Sequence, residues 1–207
     1  TSGNMAFHAA ASADPSLSTS MNSDYSIAYN FASKTRISGQ GVNGVSFVNT
    51  SSANTGGPNG TLGAAVVAVK TTGRTAIQVA WTGRVIASGT FAAGTQDRAT
   101  AIRLQYRVGT SGSFTDVSGP VEYSSLSSAT AYRTAGSSQS FSATTLPSAC
   151  DNQAVVQLRW FYYFASGSAG NRPELAIDDI TISSSAPSTP PRSEEHTSEL
   201  QSRQYLV

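Results

Sequence analysis

The segment Ala154–Ile182, AVVQLRWFYYFASGSAGNRPELAIDDITI, constrains this 207-residue chain more than any other stretch. Val156, Leu158, Trp160, Tyr162 and Phe164 share one parity while Gln157 and Arg159 occupy the other, which is the period of a strand. A Gly/Ser/Asn stretch interrupts the run. Glu174–Ile182 then resumes it with β-branched and apolar residues, broken only by Asp178 and Asp179. Two long strands joined by a turn are predicted, and their apolar faces require further sheet to cover them. Successive strand side chains point to opposite faces, so only one of the two aspartates can face the core. If Ile180 and Ile182 point inward, Asp178 shares their side and is buried, where a carboxylate is costly unless satisfied. It then accepts backbone N–H groups, pairs with an arginine such as Arg172, or helps to hold a structural Ca²⁺, with Asp24, Asp97 and Glu174 available as further oxygen ligands.

The rest of the chain follows the same period. Tyr25–Phe31, Thr35–Ser38 and Gly44–Asn49 read as short strands, the last two separated by GQG turn chemistry. Asn4–Ala11 is an edge strand in this reading. Asn49–Gly63 is a loop carrying Asn-x-Ser/Thr patterns at Asn49 and Asn59, expected to be incidental in a bacterial chain. Ala64–Lys70 is apolar on both parities, as a strand covered on both faces would be, and Thr75–Thr82 alternates again. Thr100–Val108 sets Ile102, Leu104, Tyr106 and Val108 against Arg103, Gln105 and Arg107, which predicts one dry and one wet face. Phe114–Val117, Pro120–Tyr123 and Ser138–Thr145 complete the set, with Ser124–Gly136 irregular. About ten strands, no helical period and glycine-rich turns predict an all-β chain of two packed antiparallel sheets.

Composition narrows the setting. Lys+Arg number 13 against Asp+Glu 12, a net charge of +1 that leaves no basic footprint for nucleic acid. No apolar run reaches the roughly 18 residues of a membrane helix, so membrane insertion is not expected. Cys150 stands alone and can form no internal disulfide. The Ser, Thr, Gly, Asn and Ala bias with only two lysines, Lys34 and Lys70, suits an extracellular or cell-surface location. Residues 1–183 are read as the domain, its amino end truncated, and residues 184–191 as a Pro/Ser linker towards a downstream module absent from this chain. In residues 192–207, RSEEHTSELQS resembles an in-frame translation of a short-read sequencing adapter and SRQYLV its continuation, so they are set aside from fold reasoning.

Candidate chemistry is sparse. No G-x-S-x-G, H-E-x-x-H or P-loop pattern occurs, and His8 has no partner in sequence for a triad. Adjacent Asp178 and Asp179 project to opposite faces, which disfavours a glycosidase carboxylate pair. No catalytic residue is assigned. The polar parity carrying Gln78, Arg103, Gln105, Arg107, Gln157, Arg159 and Tyr163 gathers planar donors beside an aromatic ring if these strands are neighbours. Such a face binds sugars or acidic polymers, or simply keeps a half-exposed sheet soluble. Arg103, Arg107, Arg159 and Tyr163 are the candidate ligand-binding residues, and Asp178 the candidate metal ligand.

The order TRISGQGVNGVSFVNTSS, TTGRTAIQVAWTG, AIRLQYRVGTSGSFTDV and VQLRWFYYFASGSAGNRPELAIDDITI resembles a jelly-roll domain of secreted, multi-domain bacterial proteins, and the closing AIDDITI is similar to the end of MAM-type extracellular jelly rolls. The resemblance implies an antiparallel two-sheet jelly-roll sandwich serving as a non-catalytic accessory or adhesion module, with no catalytic residues to transfer. A carbohydrate-binding module, with a glycan or cell-surface polymer as partner, is the alternative, and a fragment of a secreted hydrolase the second.

Overall fold

The computed structural model describes residues 3–9, 35–49, 61–92, 95–119, 121–167 and 170–186. Their strands, in chain order, are β1 (Gly3–Ala9), β2 (Thr35–Gly39), β3 (Val45–Asn49), β4 (Thr61–Val69), β5 (Thr75–Ala87), β6 (Phe91–Ala92), β7 (Thr95–Gln96) and β8 (Ala99–Val108). There follow β9 (Thr115–Asp116), β10 (Glu122–Ser124), β11 (Leu126–Ser128), β12 (Ala131–Tyr132), β13 (Ser138–Thr145), β14 (Val156–Ser166) and β15 (Glu174–Ser185). One sheet runs β1-β4-β14-β8-β10, with β9 also on β8. The other runs β13-β5-β15-β3-β2, and β6/β7 and β11/β12 form two small ribbons. Pairing is antiparallel in both large sheets. The chain is an antiparallel two-sheet jelly-roll sandwich, and the last two of its described strands, β14 and β15, each take the middle of a different sheet.

The even residues of β14 face the odd residues of β5 and β15 across the sandwich. Leu158, Trp160 and Tyr162 are fully buried there, as are Val79, Trp81 and Leu175. The Trp81 and Trp160 rings meet edge to face at 6.4 Å and 74°, Phe47 stacks on Tyr162 at 5.7 Å, and Phe141 of the edge strand β13 stacks on Trp81 at 4.4 Å. An aromatic side chain buries roughly 150–250 Å², so at about 25 cal/mol per Å² each tryptophan contributes roughly 4–6 kcal/mol before entropy is counted. Both tryptophans belong to the core cluster.

The aspartate pair departs from expectation. Asp178 opposes Thr82 and Thr181 opposes Ala80, so Asp179 and Ile180 together face the single residue Trp81. This is a β-bulge, and Asp179 adopts φ 50 at it. An extra residue reverses the parity of everything after it. Leu175 and Ile177 point inward before the bulge, while Ile180 and Ile182 pack against the core after it. Asp178 therefore lies on the outer face with Ala176 and not in the core, because the parity was counted back from Ile180 across the bulge.

Other boundaries move less. β4 begins at Thr61, inside the predicted loop, β11 and β12 occupy the stretch read as irregular, and β15 runs to Ser185, two residues into the predicted linker. The predicted strand Tyr25–Phe31, Asn59, and residues 187–207 lie outside the described residues. Gly39-Gln40-Gly41-Val42-Asn43-Gly44 spells G-x-G-x-x-G. It forms the turn of the β2–β3 hairpin and opens no long helix, so it is not a dinucleotide fingerprint.

Gly83 shows how closely the layers approach. A Cβ built there would stand 2.6 Å from the Tyr123 Cβ and closer still to its ring, and Tyr123 is fully buried with its hydroxyl donating to the Ser137 carbonyl at 2.9 Å. Gly83→Ala should lower stability by about 1–3 kcal/mol in a denaturant titration, the usual cost of overpacking. Cys150 is buried beneath the same core, and burial, with Asp151 beside it, pushes its thiol up to about 11 from an ordinary 9.0. The folded chain keeps the thiol proton where the unfolded chain loses it, so this contribution is intact below pH 9.0 and is lost as pH rises through 11. A thiol reagent at pH 8 should leave the native chain unmodified and label it once denatured.

Candidate functional site

The structure brings Arg103, Arg107, Arg159 and Tyr163 together on the outer face of the six-stranded sheet. The register of β8 and β14 explains why: Arg107 opposes Gln157, Gln105 opposes Arg159, and Arg103 opposes Phe161 next to Tyr163. Gln78 does not join them. It lies on β5 in the other sheet, where its amide donates to the Thr145 hydroxyl at 3.1 Å.

This face is not wet. Arg159 is 3% exposed, Tyr163 4%, Arg107 6% and Gln105 9%. Part of the cover is the segment between β8 and β9, which turns at Gly109 and Gly112, both at positive φ, and lays Phe114 back across the sheet. The Phe114 ring sits 4.2 Å from the Arg159 guanidinium and 4.4 Å from that of Arg107, and Arg107 holds the turn by donating to the Gly112 carbonyl at 2.8 Å. Phe161 lies 4.6 Å from the same Arg159 guanidinium, so this cation packs against two rings. Its Nε and a terminal nitrogen both donate to Gln105 Oε1, while Arg107 Nε donates to Gln157 Oε1 at 2.6 Å. Burial lowers the Arg107 pKa from its ordinary value.

Nearer the open side a second network forms. Arg103 donates from Nε to Glu122 Oε2 at 2.6 Å, from one terminal nitrogen to Asp116 Oδ2 at 3.0 Å and from the other to the Tyr163 hydroxyl at 3.1 Å. The Tyr163 hydroxyl donates in turn to Glu122 Oε2 at 2.6 Å, and Gln105 Nε2 donates to Asp116 Oδ1 at 2.8 Å, which links the two networks. Burial, then the bond to Glu122, raise the Tyr163 pKa well above its ordinary value. Burial works to lower that of Arg103, but the bond to Glu122 and the surrounding charges outweigh it and leave it raised. Side-chain exposure grows outward, from 17% at Arg103 to 24% at Glu122 and 43% at Asp116.

Phe114, Asp116 and Glu122 are the residues that sequence reasoning missed. The signal was present: folding Thr100–Val108 against the two short strands after it as antiparallel neighbours puts Glu122 opposite Arg103 and Asp116 opposite Gln105.

Asp178 stands apart, on the outer face of the five-stranded sheet. Arg84 meets it at 3.9 Å, and its Oδ1 accepts the Asp179 backbone N–H at 2.9 Å. Of the acidic residues named beside it, Asp97 accepts from the Thr90 hydroxyl and backbone N–H, and Glu174 accepts from Ser46 and Gln40, while Asp24 lies outside the described residues. Among the described residues no group of three or more His, Cys, Asp or Glu is placed to hold a metal ion.

No protein-family model matches the sequence, and no curated protein matches it. Solved structures similar in shape include a xylanase, Xylanase10C, from Cellvibrio japonicus in complex with xylopentaose, at 12% identity and a TM-score of 0.42, covering 86% of this chain and 27% of that one. A structure described as "CBM4 structure and function" is similar at 12% identity and a TM-score of 0.39, covering 86% of this chain and 94% of that one. The enzymatically active domain of tailspike protein 4 of bacteriophage CBA120 is similar at 9% identity and 0.34, covering 88% and 19%. This chain spans about a quarter of the xylanase's length. Resemblances this distant assign neither a ligand nor a residue role.

The inner network makes a direct prediction. Arg159→Leu removes both bonds to the buried Gln105 Oε1 and the contacts with two rings. Thermal denaturation should show a loss of about 1–3 kcal/mol, the cost of leaving a buried acceptor unsatisfied.

Proposed function

We propose that this domain is a non-catalytic carbohydrate-binding module of a larger secreted protein, and that it takes glycan on the outer face of the six-stranded sheet. The observation that carries the reading is the Arg103–Asp116–Glu122–Tyr163 network. Its side chains are fixed in place by one another, exposed in part at the rim, and include both donors and acceptors, which is what a hydroxyl-rich ligand requires. Preorganised polar groups bind with little ordering cost. Arg107, Arg159 and Phe114 lie beneath and beside this rim and hold it in shape.

The non-catalytic part of the reading is supported by the engagement of the same carboxylates. Asp116 and Glu122 are bridged by one guanidinium, and a group fixed in charge-assisted bonds is poorly placed to shuttle a proton. The Ser/Thr-rich composition with few lysines supports the secreted setting. A second reading, a purely structural accessory or adhesion module, draws on the completeness of the network, since side chains so well satisfied also serve simply to cover a sheet.

A glycan array probed with the full chain separates the two. The expected result is binding to a defined set of glycans, weakened about tenfold or more in Arg103→Ala, equivalent to about 1.4 kcal/mol. Asp116→Asn, at the most exposed of these positions, should also weaken binding while leaving the melting temperature near that of the parent chain. Silence across the array leaves the structural reading in place.

A further inference from the structure

We infer that this face, if it binds glycan as proposed above, selects uncharged glycans and rejects anionic ones, in spite of its arginines. The arginines on this outer face are largely covered or paired. Arg107 is spent on Gln157 and Gly112, and Arg159 on Gln105 and the two rings. All three nitrogens of Arg103 donate to Glu122, Asp116 and Tyr163. Arg107 and Arg159 are less than a tenth exposed, and at the rim the carboxylates of Glu122 and Asp116 are more exposed than the Arg103 guanidinium between them, at 24% and 43% against 17%. A polymer approaching this face meets the two carboxylates ahead of the guanidinium they share.

The hydrogen-bonding capacity left at the rim has the same sense. Each Asp116 oxygen accepts one bond, Oδ1 from Gln105 and Oδ2 from Arg103, and keeps a further acceptor position. Among the described residues, Glu122 accepts Arg103 and Tyr163 on Oε2 alone. Glu122 Oε1 therefore serves as the acceptor for a sugar hydroxyl, and a hydroxyl donating to a carboxylate makes one of the stronger hydrogen bonds. A uronate or sulfate at the same place would set like charges together, and the guanidinium nearest to it, that of Arg103, already bridges both carboxylates. Asp116 and Glu122 are the specificity-determining residues.

The test compares neutral oligosaccharides with counterparts of the same backbone bearing glucuronic acid, and adds heparin as a sulfated probe, using the full chain at low and high salt. Neutral glycans should bind at least tenfold more tightly than their uronate-bearing counterparts at low salt, with the gap closing as salt screens the rim. Glu122→Gln should weaken neutral binding, and Asp116→Asn should narrow the discrimination against uronate. Melting curves of both variants identify any loss caused by unfolding. Equal or tighter binding of heparin or of the uronate-bearing glycans overturns the inference while leaving the glycan-binding reading intact. Absence of binding to any glycan overturns both.

Discussion

The edge-to-face contact of Trp81 and Trp160 is the joint on which the sandwich depends. Trp160 comes from the central strand of one sheet and Trp81 from the strand beside the centre of the other, and between them they set the spacing of the two layers and the space left for Tyr123, Phe47 and Tyr162. The absence of a side chain at Gly83 follows from that spacing, because the Tyr123 ring has no other place to lie. With the inner face given over to rings and aliphatics, every charge on β8 and β14 must go to the outer side. The arginine-rich surface is thus a consequence of core formation before it is anything else.

That outer surface handles its charges by internal pairing. Three arginines, two carboxylates and two glutamines close into two linked networks, with Phe114 and Phe161 flanking one of the cations. Placing arginine under a ring lets a sheet keep a cation at low exposure without an adjacent carboxylate. The inner network then behaves as part of the structure, and only the rim formed by Arg103, Glu122 and Asp116 retains a solvent-facing chemistry. The Gln105–Asp116 bond joins the two networks, so the rim is held in position by an amide that is itself buried.

Much of this was legible in the residues. The parity of Val156–Phe164 and of Ile102–Val108 places the inner and outer faces correctly, and the joint location of Arg103, Arg107, Arg159 and Tyr163 follows from it. The dryness of the face was not legible, because it comes from a return of chain through Gly109 and Gly112 that no alternation pattern encodes. The position of Asp178 was misjudged for a related reason. Period-2 counting assumes an unbroken ladder, and one extra residue at Asp179 exchanges the two faces. Glu122 and Asp116 were visible as letters, yet their importance depends on cross-strand partners that only a register supplies.

The placement of β14 and β15 at the centres of the two sheets has a consequence for how the chain acquires its structure. Without β14, β4 and β8 have no common neighbour, and without β15, β5 and β3 have none. As the chain is synthesised, the segments up to about Gln153 hold the outer parts of both layers and cannot join them. Nearly all of the pairing that makes one body of this domain waits on the last two strands, so its folding belongs after that segment has emerged. A chain released earlier would present strand edges that have no partner, and the Val156–Ser185 segment acts as the keystone of both sheets.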